Sequence, residues 1–445
     1  MSRRTVSIFI LSLIASVLSV LPASAQDGAA TGYTPYSVFG VGDLYKQGSA
    51  YTRSMGGVGI AGRDRRYINI VNPAAVSARD TLAFMVDFSL LQNNSIYSQG
   101  NLRSAKNVMN INNFAFSFPI WRKSAMSFGI TPYSSVGYDF SSRITDPAIL
   151  SEIQGSAVTS SNGIGGLYQI WGGAAATFWN RLSIGAQAIY YLGHIDKTTQ
   201  TSFSSSSIQG TKSGYIMSLS GFSGKFGIQY EQPIKDLYLT VGATYKLGNR
   251  LGGQVTNYKY GVSTSKTDTL YHHVDSLSKT GHVRLASEIG VGLSLRKSEK
   301  WTFELNWLHS GWSGTGIDTT PGFANVGGSA SKALPFTATA SKSFRAGFEY
   351  IPNRSDIRYY FRRCAYRVGM YYDTDYYKLD GNSVVSYGLT FGVTLPVFRY
   401  YNGLTLGVDL GRRGALGQGM VKETYASFVI GFNIHDIWFI KPRYN

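Results

Sequence analysis

"VSYGLTFGVTLP", Val385–Pro396, decides how this chain is read. Tyr387, Leu389, Phe391, Val393 and Leu395 alternate with Ser386, Gly388, Thr390, Gly392 and Thr394, so one face is apolar and the other small and polar. Period two marks an extended strand, and roughly 9 to 11 such residues let a tilted strand cross a bilayer. A soluble sandwich also alternates, but it buries its apolar face without needing so many small residues opposite. The pattern recurs in Leu404, Leu406, Val408 and Leu410 against Thr405, Gly407, Asp409 and Gly411, and in Leu237–Leu247. These are the marks of a transmembrane β-barrel strand.

The same test along the chain finds about fourteen segments, beginning near Thr81, Ile111, Ala125, Leu167, Leu182, Tyr215, Leu237, Leu285, Trp301, Lys342, Cys364, Val385, Gly403 and Glu423. Connections alternate in length: "PIWRKS", "WNR", "EQPIKD" and "RKSEK" are short, whereas Gln92–Asn110, Gly137–Gly166, His194–Ser213, Gly248–Arg284 and Gly311–Ser341 are long. Short periplasmic turns and long extracellular loops are the habit of outer-membrane barrels. One turn, "PNRSDIRYYFRR" at Pro352–Arg363, is longer than its peers. The fold expected is all-β: a transmembrane antiparallel barrel of about 14 strands.

The ends and the composition agree. "MSRR", an apolar run and "ASA" form a secretory signal over residues 1–25, with cleavage expected after Ala25. No later apolar run is long enough for a membrane helix, and aromatics are 14% of the chain against 15% charged residues, the balance of a barrel with aromatic girdles. The net charge is +17, yet the basic residues recur at turns (Arg122, Lys123, Arg181, Lys235, Arg296, Lys297) instead of forming one patch. That spacing fits outer-membrane lipid and lipopolysaccharide headgroups and not nucleic acid.

Inward positions carry Asp87, Lys246, Glu288, Arg296, Glu304, Arg345, Glu349, Arg367 and Asp409. A basic residue facing lipid would cost about 2 to 4 kcal/mol at the midplane, so these belong in the lumen. They read either as cross-barrel ion pairs or as the lining of a polar conduit.

"SMGGVGIAGRDRRYINIVNPAA", Ser54–Ala75, holds Gly57, Gly59 and Gly62 in a dinucleotide-binding spacing. That fingerprint needs a buried strand before it and a helix after it. Here polar "GDLYKQGSAYTRS" precedes and Pro73 follows, so no NAD site is expected. No GxSxG occurs, and the one cysteine, Cys364, excludes a disulfide framework. His272, His273 and His282 crowd one loop with Asp268 and Asp275, but exposed loop histidines rarely have the outer shell a metal needs. No enzyme, cofactor or metal is expected.

Residues 26–80 precede the first strand, too Gly-rich for a core of their own yet rich in Tyr, Val and Ile. They read as a hatch filling the lumen, with Gly56, Gly57, Gly59 and Gly62 as close-packing or left-handed positions. The barrel then spans 81–434 and a tail 435–445.

A hatch of this size, "MGGVGIAG", then Asn72, Pro73 and Ala74 of "NPAA", then about fourteen strands, resembles the FadL-like outer-membrane transporters of long-chain fatty acids and hydrophobic compounds. "TPYSVFGVGDL" and "FNIHDIWFIKPRYN" are similar to Bacteroidetes-type members. The resemblance implies passive uptake of a hydrophobic small molecule or lipid, caught at the loops. Trp312, Phe323, Leu334 and Phe336 are the loop residues greasy enough for capture, or for packing against the rim. The alternative it brings is an accessory barrel of a type IX protein secretion system, with secretion proteins as partners. A greasy solute leaves such a barrel more cheaply through its wall than through water, which costs roughly 25 cal/mol per Å² of apolar area. In "AMSFGITPYSSVG", Ala125–Gly137, Pro132 removes a ladder donor, so Gly129, Pro132 and Gly137 mark the expected lateral opening.

Overall fold

The computed structural model describes residues 32–79, 82–145, 147, 150–151, 155–205, 208–262, 267–324, 336–397, 402–414 and 420–437. The signal segment, the Ala25 cleavage site, Leu334 and most of the C-terminal tail lie outside these. Fourteen strands form the wall: β1 (Ala83–Gln99), β2 (Leu102–Trp121), β3 (Ser124–Arg143), β4 (Ala157–Phe178), β5 (Leu182–Phe203), β6 (Gly210–Ile234) and β7 (Leu237–Lys246), then β8 (Ser287–Lys297), β9 (Trp301–Gly311), β10 (Ser341–Tyr350), β11 (Ala365–Leu379), β12 (Asn382–Pro396), β13 (Gly403–Arg413) and β14 (Lys422–Ile437). Neighbours pair antiparallel, and β14 returns to β1 from Ala83↔Ile437 to Ser98↔Lys422. Closure satisfies both edges of the sheet without water, which a lipid phase demands. Among the described residues no helix is long and apolar enough to cross a membrane.

The alternation places side chains as expected. On β12, Tyr387, Leu389 and Phe391 are 45–47% exposed on the outer face, while Thr390 between them is 1% exposed on the lumen side. Turns of two residues at Arg122–Lys123 and Lys235–Asp236, and of three at 179–181 and 298–300, close hairpins at the short end, with Lys123 and Lys235 in left-handed conformation (φ 58° and 53°), the twist that tight hairpins require.

Several stretches expected as long loops are strand. β1 and β2 continue through Gln92–Asn110 to a turn at Gly100, and β5 and β6 continue through most of His194–Ser213. Within Gly248–Arg284 a further hairpin, Gly252–Val262 with Thr267–Ser276, extends the β6 ladder from Gly252↔Ser220 to Val262↔Gly210. The physical reason is that alternation records what each face touches. From the outer headgroup region upward the outer face meets polar headgroups and then water, so the hydropathy signal fades while backbone pairing continues.

The long turn Pro352–Arg363 is a built structure. The Asp356 carboxylate accepts from the Arg358 and Tyr359 amides at 2.9 and 2.8 Å, and the lipid-facing Tyr366 hydroxyl donates to the Phe361 carbonyl at 3.0 Å. It therefore folds back along the outer wall at the short-turn rim.

Candidate functional site: the hatch seat and the β2–β3 edge

The segment before β1 lies inside the barrel as short irregular pieces: a 3-10 turn Pro35–Val38, a two-residue strand Asp43–Leu44, one helical turn Ala50–Arg53 and a second 3-10 turn Pro73–Ala78. Such a chain has few internal backbone bonds, so its polar groups must find partners on the wall.

The wall receives it through glycine. Inward glycines come as ladder partners on adjacent strands: Gly185↔Gly227, Gly242↔Gly292, Gly347↔Gly369 and Gly392↔Gly407. A Cβ on Gly369 would stand 2.2 Å from the Gly56 nitrogen, on Gly242 2.2 Å from the Ile60 carbonyl oxygen, and on Gly227 2.0 Å from Asn72 Oδ1. Gly347 meets Met55 and Gly392 meets Ser54 as closely. The small residues opposite the lipid face are thus the seat of the hatch.

Asn72, fully buried, is the chief fastener. Its Oδ1 accepts from the Ala74 amide at 3.0 Å and caps the turn that Pro73 begins; its Nδ2 donates to the Ile60 carbonyl at 2.7 Å and, across to β6, to the Ile228 carbonyl at 3.4 Å. Gly56 and Gly57 are left-handed (φ 74° and 77°). Gly59 and Gly62 are not; they are close-packing positions, where a Cβ would meet Val71 at 3.0 Å and Glu304 at 2.8 Å.

The inward charges find partners, many of them on the hatch. Asp409 pairs with Lys46 at 3.3 Å and Glu231 with Arg63 at 3.8 Å; Glu349 joins Arg66 and, at 2.7 Å, Arg367; Arg413 reaches Asp43 at 2.7 Å. Within the wall Lys246 pairs with Glu288 and Arg345 with Asp373. Burial alone would raise the Asp64 carboxyl, but the Arg66 guanidinium outweighs it and holds the group at about 2. A depressed acid stabilises above its unfolded value, about 3.9, so this fastening is lost only as pH falls from there toward 2. A cavity of about 280 Å³ remains between hatch and wall, lined by charges of both signs, Lys46, Arg345, Asp373, Asp409, Arg413 and Glu423, and by apolar residues such as Leu91 and Val108.

The loop end is closed by an apolar lid. Phe39 of the hatch packs on Phe336 and Tyr377 with ring centroids 5.3 and 4.9 Å apart, and Trp312 packs on Tyr376 at 4.6 Å. Trp312, Phe323 and Phe336 are 2%, 0% and 6% exposed, so the rings expected to capture solute lie inside the lid and a molecule arriving from water does not meet them. Lys197, which no sequence pattern singles out, is fully buried there and donates to the Val38 carbonyl at 2.9 Å.

At Pro132 the wall changes partner. The β2–β3 ladder runs from Trp121↔Ser124 to Phe114↔Ile130 and goes no higher, and the β3–β4 register slips between Pro132 and Ser134. Above Ile130 the β3 edge pairs instead with the hatch: Leu44↔Ser134 and Asp43↔Ser135 in register, the Tyr45 amide donating to the Tyr133 carbonyl at 2.9 Å, and the Thr34 amide to the Gly137 carbonyl at 2.8 Å. A Cβ on Gly137 would lie 1.6 Å from the Gly32 carbonyl oxygen. On the other side Asn110 of β2 donates to the Tyr45 hydroxyl at 3.0 Å and Asn112 to the Gly48 carbonyl at 2.9 Å. Residues 32–48 therefore fill the space between β2 and β3.

The loop histidines do not converge. His273 faces Asp275 at 3.6 Å while His282 lies against Arg250, and among the described residues no group of three His, Cys, Asp or Glu could hold a metal.

Geometry and comparison give one class: a closed barrel of FadL type. The toluene transporter TbuX of Ralstonia pickettii superposes with a TM-score of 0.54 at 15% identity, covering 87% of this chain and 98% of that one. The monoaromatic hydrocarbon channel CymD gives 0.52 at 13%, covering 89% and 98%, and a Pseudomonas aeruginosa FadL homologue 0.53 at 12%, covering 92% and 99%. No curated relative matches the chain by sequence. The family model described as BamG matches residues 1–445, and the chain belongs to the BamG family.

Two outcomes test the seat. Gly369→Val should unseat the hatch without unfolding the wall: the variant keeps its heat-modifiable migration, but trypsin cuts between Arg53 and Arg66, where the native protein resists. Equal resistance contradicts the seat. Deleting residues 26–79 behind an intact signal should raise single-channel conductance in planar bilayers, and unchanged conductance would show that the hatch is not what blocks the lumen.

Proposed function

We propose that this protein is an outer-membrane channel for hydrophobic small molecules, held in a closed state by its own hatch. The observation that carries the reading is the end of the β2–β3 ladder at Phe114↔Ile130, with hatch residues on the edge above it. The lumen is too polar and too full for a straight hydrophobic path, whereas a solute admitted under the lid reaches a place where the wall is completed only by a detachable strand. Withdrawal of Asp43–Leu44 opens a route from lid to bilayer that never returns the solute to water. Relatives of the same fold described as a toluene transporter and a monoaromatic hydrocarbon channel support this solute class. Outer-membrane lipid and lipopolysaccharide are the surrounding partners.

A second reading is the accessory barrel of a type IX protein secretion system, which the sealed lid and ion-paired lumen would suit. The two part on transport.

Leu44→Cys with Ser134→Cys, in a Cys364→Ser background, joins register partners of the hatch strand and β3. Oxidised, this variant should take up a hydrophobic tracer at no more than about a tenth of its reduced rate. Equal uptake in both states removes the lateral route, and no uptake above barrel-free membranes in either state, or in the native protein, favours the accessory reading.

A further inference from the structure

A second cavity lies outside the barrel. A hollow of about 780 Å³ opens on the outer face where β12, β13, β14, β1 and β2 run side by side. The ladders fix its rows. Tyr387, Arg412, Thr424, Ile96 and Ala105 lie across the wall at one height, and Leu389, Leu410, Ala426, Asn94 and Asn107 at the next toward the membrane. Two features make the hollow. Outward side chains are short at Ala105 and Ala426, and the inward positions between the two rows on β12 and β13 are Gly388 and Gly411, so the wall is thin there. It is backed from the lumen by the Tyr371 and Tyr425 hydroxyls, 2.6 Å apart, and ladder pairing across Gly388↔Gly411↔Tyr425 is unbroken. The hollow is therefore a pocket in the wall and not a pore.

Its surroundings are ordered along the membrane normal. One row further into the bilayer stand Val408 and Phe428, apolar and lipid-facing. At the hollow's upper rim is exposed Arg412, and one row above it Lys422 and Arg103 share a ladder through Ser98. Rows two residues apart are about 7 Å apart and adjacent strands about 4.8 Å, so Arg412 and Lys422, on neighbouring strands, are the pair within reach of one phosphate, with Arg103 two strands beyond Lys422 at the far side of the headgroup. None of the outward positions on these three rows is acidic.

Apolar band, hollow, then cations is the order of acyl chain and phosphate in a lipid, and the loop end of the barrel faces the outer leaflet. We infer that this hollow binds one phosphorylated glycolipid of the lipid A type, an acyl chain in the hollow and a phosphate on Arg412 and Lys422, with Arg103 at the far side of the headgroup. Basic clusters at the interface recognise anionic headgroups in this way. The inference rests on the outer-membrane reading alone and stands whether or not the barrel transports.

The test is native mass spectrometry of the full protein in neutral detergent, titrated with monophosphoryl lipid A and separately with phosphatidylethanolamine. Ala426→Trp fills the hollow and Arg412→Glu reverses its rim; both are scored only if heat-modifiable migration shows a folded barrel, with Ala105→Trp as the alternate filling variant. The native protein should retain one lipid A, with at least a tenfold preference over phosphatidylethanolamine, and each variant should weaken lipid A at least tenfold. Unchanged binding in a folded filled variant, equal binding of phosphatidylethanolamine, or a dimer mass that the filled variant abolishes would each overturn it, the last by assigning the hollow to a second copy of the chain.

Discussion

Everything in this barrel depends on backbone lying against backbone. The hatch approaches the wall so closely at Gly227, Gly242, Gly369 and Gly392 that a single Cβ at any of them would stand 2.0–2.3 Å from a hatch atom. Core packing tolerates no such overlap. Distance brings function with it, because only a hatch seated this deep can offer its carbonyls and amides to wall side chains. Glu304 of β9 accepts from the Ala61 amide at 2.9 Å, and Thr390 accepts from the Gly56 amide at 2.7 Å. An irregular chain with no core of its own is satisfied by borrowing the wall's polar groups.

The charges follow from the same constraint. Filling the lumen removes water from carboxylates and guanidinium groups that an open pore would leave solvated. A buried ion deprived of its partner costs about 3–5 kcal/mol, so each must be met. The Asp64–Arg66–Glu349–Arg367 chain answers this, with two hatch residues and two wall residues alternating in sign. Of the two readings open for the inward charges, ion pairing is the arrangement observed for most, while Asp87 is met by the Asn113 amide and Glu304 by the Ala61 amide; a polar conduit survives only as the 280 Å³ remnant.

How far the sequence could be read depended on the solvent at each face. Within the bilayer, lipid outside and hatch inside impose opposite chemistries on alternate residues, so fourteen strands were legible and their short turns with them. From the outer headgroup region upward both faces become polar, and β1, β2, β5 and β6 run on through residues that read as loop. In Ser54–Ala75 the left-handed Gly56 and Gly57 and the tightly enclosed Gly59 and Gly62 stand where a side chain would not fit. What Gly185 or Gly369 packs against was not legible, because a missing side chain leaves no trace of its neighbour. Pro132 announced a break in the ladder; nothing in the sequence announced that Asp43 and Leu44 would cover it.

That covering strand raises the question of what holds it. A barrel exists to abolish sheet edges, and here one edge is abolished by a segment with two residues in register. The backbone bonds of Thr34 and Tyr45 to β3 contribute roughly 0.5–1.5 kcal/mol each, too little alone to keep the edge closed nearly all the time. The lid contributes more: fully burying one large apolar side chain stabilises by about 1.5–3 kcal/mol, and Tyr36, Val38 and Val41, all within the same short segment, are at most 4% exposed beside Trp312, Phe323 and Tyr377. Lid and edge strand are one continuous stretch, Tyr36 to Leu44, so neither can move far without the other. On the uptake reading this makes the solute its own key. A hydrophobic molecule that replaces Phe39 against Phe336 and Tyr377 leaves the apolar burial of the lid nearly unchanged, while freeing the segment that closes the wall.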